Sequence, residues 1–141
     1  MANRNRIKLT YIMKKIIFLI LISFLFSCER NSENSSSENL IAKWNWIKSS
    51  GGIDGKVETP SSTGKNIVLE FSQNKVKVYE NGILKSEKNY SIQTKNSIMG
   101  GQKQMVIYEP YQPDQSFLIE NNKLFLSDEC YDCHQSEYIK Q

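Results

Sequence analysis

The sequence predicts an all-β domain, a small antiparallel meander of about eight strands that closes into a barrel, with a β-sandwich as the alternative. Three observations predict it. Apolar side chains recur at every second position along many short runs, the period of strands that bury one face. Asn- and Gly-containing turns separate those runs at hairpin spacing. Beyond one turn around Asn39 to Ala42, no segment carries the amphipathic pattern of a helix, so parallel strands would lack crossovers.

The first strand rests on Trp44 and Trp46, which alternate with Lys43 and Asn45. Ile67, Leu69 and Phe71 then alternate with Val68, Glu70 and Ser72, and Val76 and Val78 with Lys75, Lys77 and Tyr79. Further runs cover residues 90–94, 104–108, 116–119, 123–126 and 137–140. Ser72-Gln73-Asn74, Glu80-Asn81-Gly82 and Glu120-Asn121-Asn122 fall between runs and favour the positive φ of tight turns. Consecutive strands should therefore be neighbours, and closing the sheet removes its exposed edges. Lys75, Lys77, Lys85 and Lys88, interleaved with Glu80 and Glu87, read as a solvated hairpin face rather than a basic patch.

The formal charge of +3 invites a nucleic-acid partner, but its distribution argues against one. Arg4, Arg6, Lys8, Lys14 and Lys15 precede Cys28 with no acidic residue among them, so the rest of the chain is mildly acidic. Lys14-Lys15 leads into an apolar run, Ile16 to Phe26, long enough for the core of an export signal and too short to span a bilayer comfortably. Met13 fits as the true start, because the polar stretch from Ala2 to Arg6 adds nothing that export requires. Leu25-Phe26-Ser27-Cys28 resembles the lipobox of bacterial lipoproteins. The resemblance implies cleavage after residue 27, a thioether-linked diacylglyceryl group on Cys28 and palmitate-type acylation. Residues 28–39 then form a lipidated Ser/Asn-rich tether with nothing apolar to bury, reaching roughly 20 Å. Residues 40–141 form the single domain, about 100 residues long.

Within that domain Ala42 to Ile47, Ser49 to Ile53, Gly64 to Phe71, Val78 to Gly82 and Leu126 to Asp132 form an ordered set. It resembles the small lipocalin-like lipoproteins of Gram-negative bacteria. The resemblance implies an up-and-down barrel on a lipid anchor in the cell envelope, in the outer membrane facing either the periplasm or the exterior. It also implies a cavity for a small apolar molecule. Trp44, Trp46, Phe71 and Tyr90 are the candidate ligand-lining residues, although in so small a barrel the tryptophans fit better as core. Ser91, Thr94 and Ser116 are candidate small or polar inward positions.

Cys130-Tyr131-Asp132-Cys133-His134 fits two chemistries. In an oxidising compartment Cys130 and Cys133 form a short disulfide once Cys28 is acylated. Alternatively, Cys-x-x-Cys-His is the attachment pattern of c-type haem, with His134 as proximal ligand and Met99 or Met105 on the other side. A zinc site on Cys130, Cys133 and His134 would need Asp128, Glu129 or Asp132 as a fourth ligand. The single histidine, and the lack of a nucleophile elbow, phosphate loop or paired-carboxylate motif, argue against an enzyme and its cofactors. The leading expectation is a membrane-anchored module that binds a small apolar ligand or an envelope partner. A filled structural barrel comes second and a haem electron carrier third.

Overall fold

The computed structural model describes residues 39–110 and 112–141. The expected signal segment, acylated Cys28 and tether lie outside the described residues. The strands are β1 (Lys43–Gly51), β2 (Lys56–Glu58), β3 (Ile67–Phe71), β4 (Lys75–Glu80) and β5 (Ile83–Asn96), followed by β6 (Gln102–Glu109), β7 (Gln115–Glu120), β8 (Lys123–Asp128) and β9 (His134–Lys140). One helical turn, α1 (Pro60–Thr63), lies between β2 and β3; Thr59 caps it and Gly64 ends it in the left-handed conformation.

Every pairing is antiparallel, and from β3 to β9 each strand pairs with the next. β1 closes the ring, pairing with β3 through Lys43–Asn45 and with β9 from Trp44 to Gly51. The result is an eight-stranded closed barrel, with β2 added on the β3-side edge of β1 at Ser49–Gly51. The expected hairpins form where the sequence places them: Asn81 and Gly82 join β4 to β5, and Asn121 and Asn122 join β7 to β8, all with positive φ.

Alternation carries the core. Trp44, Leu69, Phe71, Val76, Val106, Phe117, Leu124 and Leu126 pack inside the ring. Leu40 closes one end: it is fully buried, and its carbonyl accepts the Trp44 indole N–H at 2.9 Å. The rings of Phe71 and Tyr90 meet edge to face, with centroids 5.2 Å apart, and the Tyr90 hydroxyl donates to the Ser72 carbonyl.

Two register shifts decide what faces inward at the other end. Pairing of β1 with β9 slips between Trp46 and Lys48, so Ile47 is an extra residue and Ser49 turns into the barrel. Pairing of β4 with β5 slips between Val78 and Tyr79, which makes Lys85 the extra residue. Leu84 opposes outward Tyr79, but after the slip Ser86 and Lys88 oppose inward Val78 and Val76. Lys75 and Lys77 stay outside and share Glu87, and Lys85 pairs with Glu80. Lys88 departs from the expected solvated face because the bulge reverses its side.

One seam is thin. β6 and β7 pair only at Met105 with Ser116 and Val106 with Gln115, then diverge.

The open end of the barrel as candidate functional site

A cavity of about 320 Å³ occupies the end of the barrel opposite Leu40. Its walls are aliphatic: Ile67 and Leu69 on β3, Val76 and Val78 on β4, and Leu126 on β8. Ser86, Lys88, Tyr108, Gln112, Gln115 and Tyr138 add polar groups around them. A small apolar volume with a few converging polar groups is the usual make-up of a small-molecule site, here at the small end of the range.

Two hydrogen-bonded chains hold the polar layer. The Trp46 indole N–H donates to Ser49 Oγ at 2.8 Å, Ser49 Oγ lies 2.7 Å from Ser136 Oγ, and Ser136 bonds the Tyr138 hydroxyl. The Tyr108 hydroxyl donates to Gln115 Oε1, and Gln115 Nε2 donates to Asp128 Oδ1 at 2.6 Å. Both chains depend on the barrel's alternation, and the first also needs the β1 bulge to aim Ser49 inward. Among the described residues no buried side-chain polar atom is left without a partner. Burial, with the Asp128 charge adding to it, pushes the Tyr138 hydroxyl up from 10.0 to about 12. The same causes, together with Tyr138 and Tyr90, push Tyr108 up as well. Both phenols therefore remain protonated donors at neutral pH.

Lys88 is half-buried at this cavity. It differs from Lys75, Lys77 and Lys85 of the same hairpin in having no carboxylate partner among the described residues.

A second, larger space of about 490 Å³ opens through the wall where β6 and β7 part. Phe117 and Ile119 reach it from the inner face of β7, and Leu118 and Phe125 from the outer faces of β7 and β8. Lys103 and Ser127 border it.

The residues singled out from the sequence divide between core and surface. Trp44, Trp46, Phe71 and Tyr90 all lie in the packed interior and line neither space. Ser91 is exposed on the outer face of β5, whereas Thr94 shares the inner-face register of Tyr90 and Ile92 but is exposed. Ser116 is buried, but on the outer face of β7, where it bonds the Glu129 carboxylate. That carboxylate also accepts from Ser97 Oγ at 3.0 Å and the Ile98 N–H at 2.9 Å, joining the β8–β9 loop to the β5–β6 turn. These bonds outweigh partial desolvation and hold Glu129 below the usual carboxylate range.

Cys130 and Cys133 form a disulfide with Cα atoms 5.6 Å apart, stapling the turn before β9. Joined to each other, the two sulfurs are not thiols that could add to haem vinyl groups. His134 is exposed at the start of β9, Met99 is exposed, and Met105 is buried on the outer face of β6. Among the described residues no three or more His, Cys, Asp or Glu side chains cluster as metal ligands.

No family model, curated protein or solved structure matches this chain.

The sequence reading missed Lys88, Tyr108, Gln115 and Tyr138. The spacing of Ser86, Lys88 and Tyr90 held the signal for one shared face. Reading it required the position of the bulge at Lys85, which alternation in β5 alone does not reveal.

Proposed function

We propose that the protein is an envelope lipoprotein, tethered through Cys28, whose barrel binds a small apolar ligand in the cavity at its open end. The observation that carries this reading is a division of the barrel interior. One half is filled by Trp44, Trp46, Phe71 and Leu124, whereas the other keeps an aliphatic space of about 320 Å³ beneath a satisfied polar layer. A barrel serving only as a rigid plug would gain stability by filling that space, because unfilled apolar volume forfeits packing energy. The lipobox and the Ser-rich tether support the anchored placement.

A filled-barrel, purely structural lipoprotein is the second reading, favoured by the complete burial of Trp44 and Leu124. Native mass spectrometry of protein purified from the envelope of a Gram-negative host, expressed with its amino-terminal segment, separates the two. The proposed reading expects a mature chain that begins at acylated Cys28, is lighter by two hydrogen atoms for the disulfide, and carries a non-covalent adduct that gentle activation releases. A chain still carrying residues 1–27 would contradict the anchor, and a mature chain that never retains or rebinds an apolar molecule would favour the filled barrel.

A further inference from the structure

We infer that the cavity selects an amphiphile with one negative charge, a short apolar tail carrying an anionic head, and that Lys88 is the residue that pairs with the head. This rests on the ligand-binding reading above and specifies its ligand class.

The lysines of the β4–β5 hairpin are not all balanced by carboxylates. The three other lysines of the β4–β5 hairpin point outward, each with a carboxylate within 4 Å. The bulge at Lys85 turns Lys88 inward, beside Val76 and Val78, where it is half-buried without a carboxylate partner among the described residues. A cation placed among aliphatic groups costs solvation free energy, which an anionic partner would offset.

The acid on the inner face of β8, Asp128, does not serve as that partner. It forms no ion pair with Lys88, and one of its oxygens already accepts from Gln115 Nε2. Tyr108 and Tyr138 line the same cavity as neutral phenols, but the Tyr108 proton is given to Gln115 Oε1 and the Tyr138 hydroxyl is bonded to Ser136, so Lys88 is the charged group of the lining left to pair with a head group. One ammonium group balances one negative charge. The volume, on the order of ten waters, limits the ligand to about a dozen non-hydrogen atoms.

The test uses the full chain in phospholipid nanodiscs, titrated calorimetrically with octanoate, 1-octanol and octylammonium against empty discs. These probes share a tail and differ in head charge. The expected order is octanoate, then octanol, then octylammonium, with octanoate favoured over octanol on the order of tenfold, the worth of one charge-assisted hydrogen bond. Lys88→Met should remove the difference between octanoate and octanol, whatever the affinity the two then share. Lys88→Arg, which keeps the charge, should retain the preference and guards against a folding defect in the first variant. Equal binding of all three probes to the wild-type chain would overturn the charge selection while leaving apolar binding intact. Failure of all three to bind would overturn both.

Discussion

Replacing Trp44 by alanine should destabilise the barrel by about 3–5 kcal/mol, the range for removing a large aromatic side chain from a packed core. Trp44 is fully buried and belongs to the packed core. Its indole N–H holds the Leu40 carbonyl at 2.9 Å, which seats the segment closing the end of the barrel. It sits on β1, the strand whose pairing with both β3 and β9 closes the ring. The Lys140 ammonium also lies 5.7 Å from the ring centroid. Truncation would leave a cavity, orphan a buried carbonyl and loosen the closing strand together. Urea denaturation followed by circular dichroism should show a much lower midpoint with little change in slope. Since a domain of this size has roughly 5–15 kcal/mol in total, the loss would be a large share of its stability. Leu118→Ala is the control: that side chain is 57% exposed and should cost under about 0.5 kcal/mol.

Gly51→Ala should be nearly as damaging, for a backbone reason. Gly51 ends β1 at φ 140°, and a Cβ there would stand 2.2 Å from the Cys133 carbonyl oxygen and 2.8 Å from the His134 Cα. Both neighbours are main chain, so no side-chain rotation relieves the overlap. The strand end or the disulfide turn would have to move, and these two elements complete barrel closure at the open end. Left-handed strain and overpacking together should cost about 2–4 kcal/mol. Gly100→Ala supplies the comparison: its φ is 94° and a Cβ there would meet nothing within 4 Å, so it carries the strain without the overlap. A thermal midpoint for Gly51→Ala no lower than that for Gly100→Ala would show that close approach to Cys133 does not constrain the fold.

Much of this architecture was legible in the chain because hydrophobic alternation and turn chemistry act locally. Ile67, Leu69 and Phe71 announce a strand with one buried face, and Asn81-Gly82 announces the turn that follows β4. β5 was legible only in its later half. Its first half reads Ile83-Leu84-Lys85-Ser86-Glu87-Lys88-Asn89, where charged residues hide the period and the bulge breaks it. β2 and α1 are too short to leave a periodic trace, although Thr59-Pro60 followed by Gly64 is a start and a stop in retrospect.

The candidate site was less legible for the same reason. Trp44, Trp46, Phe71 and Tyr90 drew attention as large aromatic residues, but size in a narrow barrel commits a side chain to packing. The cavity lies where smaller residues stop short of filling the interior: Val76, Val78 and Ser86 form it by their size, and Lys88 gives it a sign. Which face each of these occupies follows from long-range register, a property of paired strands.

The central claim, a binding cavity inside the open end of the barrel, is tested most directly by methyl NMR. The full chain, labelled at Ile, Leu and Val methyl groups and held in nanodiscs, is titrated with 1-octanol. Saturable shifts are expected at Ile67, Leu69, Val76, Val78 and Leu126, which line the cavity, with Leu118 at the β6–β7 slit unmoved. Shifts centred on Leu118 and Ile119, or no saturable shift within the barrel, would contradict it.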